Sequence, residues 1–416
     1  MKMSKFIKST LILLVGGFLT KVLGMLIKII TTRIIGTETL GLYMLIMPTF
    51  NLFITLAQGG LPISVSKIVS ENKKDNKKIV FSSIFISICT TFFLMILLIF
   101  ISPLIAKFLH NDSLSFPIMC IGLTLPFISL SGIIRGYFFG KENMFPHVLS
   151  NNFEQVVRII LNIIFLPLLS NYEPRVSVTF LILSNVISET TSIIILYFFL
   201  PRKITKEMLK PEKIIIKDVL NISIPTTGSR IIGTIGYFLE PIVLTSFLLM
   251  NGYTTNYITY EYGVLTGYVM PLLLLPSFFT MAISQATLPV ISNGYANNKI
   301  PYVKKKIKQS LLLSFAIGLF FTIILMIFPE IFMKLIYNTN EGVSYIRKLA
   351  PFFLLLYIQT PLVSVMQALD KAKDAMHSTL VGSIIKIALI IILSFFKIGL
   401  YPLVIATVVN IIYVTV

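Results

Sequence analysis

The sequence predicts an all-α, polytopic membrane protein with about twelve transmembrane helices in two six-helix halves. Of its 416 residues, 56% are hydrophobic and only 12% charged, and the mean hydropathy is +0.89; soluble domains carry roughly 25% charged residues. Apolar stretches of about 18–25 residues recur along the whole chain, the length a helix needs to cross a bilayer and too long for the alternating strands of a barrel. The basic residues are distributed very unevenly between the two sets of connecting segments.

Spans fall at about 9–30, 40–63, 79–103, 116–139, 148–170, 176–200, 219–248, 263–289, 310–333, 349–369, 377–396 and 398–416. The first exceeds the apolar core of a signal peptide, carries Lys21 and has no small-residue cleavage site, so it is expected to remain as a membrane helix. The second holds Pro48 and Pro62. The third and fourth hold Cys89 and Cys120; without a CxxC pair or a Cys/His cluster these read as small core hydrophobes, and no metal site is indicated. The fifth carries Glu154 and Arg158, and the sixth Glu189. The seventh and eighth are overlong and are expected to tilt or break at Pro225, Pro271 or Pro276. The eleventh carries Lys386.

With the N-terminus in the cytoplasm, the inward segments hold 22 of the 35 Lys and Arg residues and the outward segments hold 7, the other six lying within spans. Such a split is a positive-inside signal and places both termini in the cytoplasm. The net charge of +18 is therefore a topology determinant that also attracts anionic membrane lipids, and nucleic acid is excluded as the partner.

A faint repeat supports two halves. Met47-Pro48 and Leu61-Pro62 correspond to Met270-Pro271 and Leu288-Pro289, each pair followed by a basic segment. Lys21 and Gly24 correspond to Arg230 and Gly233, and Gly140-Lys141 with His147 to Asp370-Lys371 with His377. The expected division is 1–200, a basic linker 201–217 and 218–416, with both halves starting on the same side as a parallel repeat.

Lys21, Arg158, Arg230 and Lys386 lie near the middle of their spans. A cation at that depth costs roughly 2.5–3.5 kcal/mol, so it normally faces a wet cavity, an anion or a carboxylate. Two readings stand. The cations line a cavity between the halves and hold phosphate oxygens, Arg through a planar fork and Lys as a point charge. Alternatively they pair with acids: Glu154 is four residues from Arg158 on one helix, and Glu189 and Glu240 are available to others. Lys28 and Arg135 lie closer to interfaces, where they can snorkel; Lys28 stays among the cavity candidates. Glycines and prolines inside spans, such as Gly16, Gly17, Pro126 and Gly228, suit close packing and bending alike.

No Walker sequence, Gly-x-Ser-x-Gly or HExxH is present, and His110, His147 and His377 stand singly near span ends. No enzyme activity and no cofactor are indicated. Directed transport then draws on the membrane potential, a monovalent cation or the substrate's own gradient.

Thr20-Lys21-Val22-Leu23-Gly24-Met25, Thr32-Arg33-Ile34-Ile35-Gly36, Gly59-Gly60-Leu61-Pro62, Arg135 to Gly140, Glu154-Gln155 with Arg158, and Gly236 to Pro241 together resemble the stage V sporulation protein B family. That family belongs to the polysaccharide-transport branch of the multidrug/oligosaccharidyl-lipid/polysaccharide (MOP) superfamily and is similar to lipid II flippases. The resemblance implies a V-shaped pair of six-helix lobes, as in the MATE branch, working by alternating access. It also implies a cationic cavity for a lipid-linked oligosaccharide diphosphate. Lys21 and Arg33 fall where lipid II flippases carry basic residues on the first helix. The chain departs from them at Phe53, Ile54 and Thr55, where they have arginines, so the headgroup is expected to be held differently. Those relatives usually have fourteen helices, the last two forming a lipid-tail groove. This chain reaches Val416 inside an apolar run, so a shorter branch or a shortened chain is expected.

The leading expectation is a flippase for an undecaprenyl-type lipid-linked oligosaccharide in the cytoplasmic membrane, serving peptidoglycan, spore cortex or polysaccharide synthesis. A cation-coupled multidrug exporter would want cavity carboxylates in place of cations. A membrane glycosyltransferase would want acidic catalytic loops, and a scaffold of wall synthesis would be indifferent to cavity charge.

Overall fold

The computed structural model describes residues 5–71, 75–201, 211–369 and 371–416. Fifteen helices make up the regular structure of the described residues: α1 Lys5–Gln58, α2 Leu61–Glu71, α3 Asn76–Phe108, α4 Ser115–Gly140, α5 Phe145–Leu169, α6 Pro174–Phe199, α7 Lys213–Met250, α8 Thr255–Gly263, α9 Met270–Leu274, α10 Ser277–Ala296, α11 Ile300–Ile327, α12 Pro329–Tyr337, α13 Val343–Ala368, α14 Ala372–Ser394 and α15 Tyr401–Thr415. Among the described residues nine stretches are long and apolar enough to span a membrane, ten counting one bent pair, with Tyr401–Thr415 as a shorter apolar helix. One of the nine, Val15–Glu71, contains both of the first two sequence spans. The all-α polytopic fold is as expected, the sequence spans falling mostly on helix.

At 1.5 Å per residue a straight helix of 54 residues would reach about 80 Å, far more than a bilayer core of about 30 Å. The chain breaks at Gly36, whose φ of 71° and ψ of 170° lie in a region that essentially only glycine occupies. A second corner, Gly59 and Gly60, also at positive φ, separates α1 from α2.

Contacts divide the chain into two units, Met1–Phe238 and Leu239–Val416, with the boundary inside α7. Residues 202–210 of the expected linker, Asp370 of the repeat, and Lys73 and Lys74 lie outside the described residues. The division into 1–200, 201–217 and 218–416 stays a proposal.

In the first unit, the 16–31 stretch of α1 runs alongside α5. Thr20 Oγ1 donates to Asn152 Oδ1 at 2.7 Å, and Asn162 Nδ2 donates to Thr31 Oγ1 at 2.9 Å. Both residue numbers rise together, so the two helices are parallel, as two odd-numbered spans must be. Gly132, Gly136 and Gly140 form a small-residue stripe on α4 that seats α2. A Cβ on Gly136 would sit 2.4 Å from the Pro62 carbonyl oxygen, and one on Gly140 2.6 Å from that of Ser66. This is how membrane helices bring backbones close. Around the stripe lies a core of Leu61, Val65, Ile79, Ile133, Leu196 and Val219, so the start of α7 belongs to this unit.

In the second unit, the eighth span is broken. A π-helical turn, Val264–Val269, leads into α9, and the two parts of the span bend by 47° before α10. Pro276 has no N–H for the Leu272 carbonyl, which accepts from Leu275 N instead at 3.2 Å. The next carbonyl, Leu273, accepts from the Tyr357 hydroxyl at 2.6 Å, so a side chain from α13 satisfies the break. The expected bend at Pro276 is present, whereas α7 continues through Pro225.

Two local expectations are corrected. Cys89 is exposed rather than in the core, and only Cys120 is buried; a bilayer accepts a small apolar side chain as well as a protein interior does. Lys304, Lys305, Lys306 and Lys308 lie in the opening turns of α11 rather than in a loop.

Candidate functional site

The membrane-helix cations fall into two groups. The first is neutralised within the protein. On α4, Arg135 Nη2 donates to Glu154 Oε2 and to Ser192 Oγ, both at 2.7 Å, and lies 3.5 Å from Glu189 Oε2. On α5, Arg158 Nη2 donates to Glu154 Oε1 at 2.9 Å and to Ser188 Oγ on α6 at 3.2 Å. Two partly buried guanidiniums and two buried carboxylates thus form one cluster in which each formal charge faces its opposite, the condition under which charges survive desolvation. In the second unit, Lys386 on α14 donates to Glu240 Oε2 on α7 at 2.6 Å, the glutamate being buried. For Arg158 the partner is Glu154, the one named from sequence; Lys386 takes Glu240, an acid the sequence offered without assigning it to a particular cation.

Arg135 was expected to snorkel, but it is mostly buried and joins three helices. No local sequence signal marks this, because its partners come from α5 and α6.

The second group comprises Lys21, Lys28 and Arg230. Among the described residues, no hydrogen bond or ion pair engages their side chains. Lys21 is exposed and Lys28 half-buried. At about 100° per residue, the two lie within about 20° of each other on α1, beside the face that Thr20, Gly24 and Thr31 turn to α5. A Cβ on Gly17 would meet nothing within 4 Å, and one on Gly24 only Gln155 Oε1 at 3.9 Å. The positions beside the two lysines on this side of α1 are therefore open. Arg33, the remaining sequence candidate, is exposed about 130° further round α1, off this line.

Arg230 sits on α7 within the same contact-defined unit. The α1–α2 corner rests on this helix: a Cβ on Gly60 would lie 2.9 Å from the Ser223 carbonyl oxygen, and one on Gly59 3.8 Å from Thr227 Oγ1. Ser223, Thr227 and Arg230 share one face within about 60°. Burial falls along it, from buried Ser223 through half-buried Thr227 to exposed Arg230. Added Cβ atoms on Gly228 and Gly233 would meet nothing within 4 Å. At the positions where lipid II flippases were expected to have arginines, Phe53 and Thr55 are buried, and Thr55 Oγ1 donates to the Asn51 carbonyl at 2.9 Å.

Unpaired cations beside open space on membrane helices can screen an oxyanion; the paired ones fix helices. A family described as polysaccharide biosynthesis protein matches residues 6–295, and one described as MatE matches residues 264–392. Stage V sporulation protein B of Bacillus subtilis (strain 168) is 36% identical over 94% of this chain and 78% of its own length.

The chain belongs to the stage V sporulation protein B family.

Lipid II flippase MurJ of the same organism is 22% identical over 93% of this chain and 77% of its own. Among solved structures, an inward-facing multidrug resistance MATE family transporter of the MOP superfamily superposes with a TM-score of 0.79 at 17% identity, covering 95% of this chain and 92% of that one. This member of the stage V sporulation protein B family therefore has the fold of the MOP transporters it superposes on, and its long apolar helices make it a multi-pass membrane protein.

Proposed function

We propose that this chain is a flippase for a lipid-linked oligosaccharide diphosphate of the undecaprenyl-diphosphate-sugar class. It moves its cargo across the cytoplasmic membrane by alternating access, with both termini cytoplasmic, for peptidoglycan, spore cortex or polysaccharide synthesis. The observation that supports this reading is that, among the described residues, no hydrogen bond or ion pair engages the side chains of Lys21, Lys28 and Arg230, whereas Arg135, Arg158 and Lys386 face carboxylates. A pyrophosphate entering beside them gains the charge compensation it loses on leaving water, and each cation gains the partner it lacks. The membrane potential supplies about 2.3 kcal/mol per charge per 100 mV to drive or rectify the movement. The names of the relatives, a sporulation protein and a lipid II flippase, agree with this cargo class.

A cation-coupled multidrug exporter is the second reading, favoured by the MATE likeness. Its cationic cargo needs available carboxylates, yet Glu154, Glu189 and Glu240 all face Arg or Lys. Proteoliposomes holding a fluorescent lipid-linked oligosaccharide diphosphate decide between the two. The flippase reading requires that the chain speed the label's passage between leaflets. Export of a cationic dye with the labelled lipid left in place would overturn it.

A further inference from the structure

Helix α8 has two sharply different faces. It buries Ile258, Thr259 and Tyr262 and exposes Tyr257 and Tyr260, with Glu261 half-buried between the two faces. At about 100° per residue the three outer side chains lie within about 100° of arc. An ordinary amphipathic helix would carry lysines and glutamates there; this one carries two tyrosines and one acid.

Its surroundings extend the same chemistry. The Tyr253 and Tyr257 rings stack at 5.2 Å with an 18° tilt, and the Tyr253 hydroxyl accepts from Gly399 N at 2.7 Å. Tyr345, from the start of α13, donates its hydroxyl to Glu261 Oε2 at 2.6 Å and packs its ring 5.8 Å from that of Tyr401 at the start of α15. Lys348 lies over the Tyr401 ring and donates to its hydroxyl. Three segments of the second unit are thus tied into one platform. An aromatic belt at a membrane surface would account for scattered tyrosines, but it has no use for a carboxylate locked among them.

We propose that this platform is a saccharide subsite. Partly exposed tyrosine rings offer flat apolar faces to the C–H side of a pyranose. Glu261 accepts from sugar hydroxyls, and Lys348 donates to them. Stacked and hydrogen-bonded neighbours hold these groups in place before the ligand arrives, which lowers the ordering cost of binding. The occupant is the carbohydrate portion of the cargo, so the identity of that occupant rests on the flippase reading. The platform belongs to the second unit, whereas Lys21 and Arg230, proposed to meet the diphosphate, belong to the first.

The test is saturation-transfer NMR on the detergent-purified full chain with free N-acetylglucosamine disaccharide and trisaccharide. Transfer to the sugar ring protons is expected, with affinity reduced at least tenfold in Tyr257→Ala and in Glu261→Gln. Tyr257→Phe keeps the ring and should keep binding, and unchanged thermal unfolding of each variant separates loss of the site from loss of the fold. Absence of transfer in the unaltered chain, or equal transfer in Tyr257→Ala and Glu261→Gln, would overturn the subsite. Saccharide binding that persists while the same protein fails to move the labelled lipid would sink the flippase reading and leave the subsite standing.

Discussion

Arg135 on α4 donates to Glu154 on α5 across 2.7 Å, with 16% and 7% of the two side chains exposed. The same carboxylate accepts from Arg158 through its other oxygen. Removing it leaves two guanidiniums facing one remaining acid, Glu189. Glu154→Ala should therefore destabilise the chain by about 3–5 kcal/mol, the usual result of stranding a buried charge, read as a fall in thermal unfolding temperature in detergent. A smaller loss in Glu154→Gln, which keeps the shape and one acceptor, would attribute the effect to charge.

The Lys386–Glu240 pair lends itself to a thermodynamic cycle. Lys386→Met and Glu240→Leu each strand one charge, whereas the double variant strands none. The double variant should be more stable than the sum of the single losses implies, with a coupling of about 0.5–3 kcal/mol. Additive losses would show that the 2.6 Å contact contributes nothing to holding α7 against α14.

Gly136 and Gly17 should respond in opposite directions to the same change. A methyl on Gly136 collides with the Pro62 carbonyl at 2.4 Å, and one on Gly17 meets nothing. Gly136→Ala is expected to cost about 1–3 kcal/mol by overpacking. Gly17→Ala should gain up to about 1 kcal/mol from helix propensity. Unfolding curves of the two variants side by side check both signs.

Tyr357→Phe removes the hydroxyl that satisfies the Leu273 carbonyl at the broken span. The cost should be about 1–3 kcal/mol for a buried acceptor left unpaired, together with faster amide exchange across residues 270–280. An unchanged exchange profile would mean that the break is satisfied some other way.

Hydropathy exposed every span because lipid imposes one length on each helix, so even the split eighth span was visible through Pro271 and Pro276. The Glu154–Arg158 pair was legible because i,i+4 neighbours meet on any helix. Arg135 was not: its partners lie 19 and 54 residues away on α5 and α6, and only the packing of three helices brings them together. Glu240 and Lys386 could be named as charges but not matched, being 146 residues apart. Gly36 illustrates another limit. The first two spans were set at about 9–30 and 40–63, but helix also covers most of the gap and the chain turns at a single residue whose φ no composition reveals. The tyrosine platform escaped notice because its members come from three separate segments that hydropathy treats as span ends.

Translocation is expected to depend most on Lys21 and Arg230, exposed cations whose side chains engage no hydrogen bond or ion pair among the described residues. In proteoliposomes containing the labelled lipid-linked oligosaccharide diphosphate, Lys21→Ala and Arg230→Ala should each slow translocation at least tenfold, with unfolding temperatures unchanged and with Lys21→Arg retaining most of the rate. Full-rate translocation by both alanine variants would contradict the account.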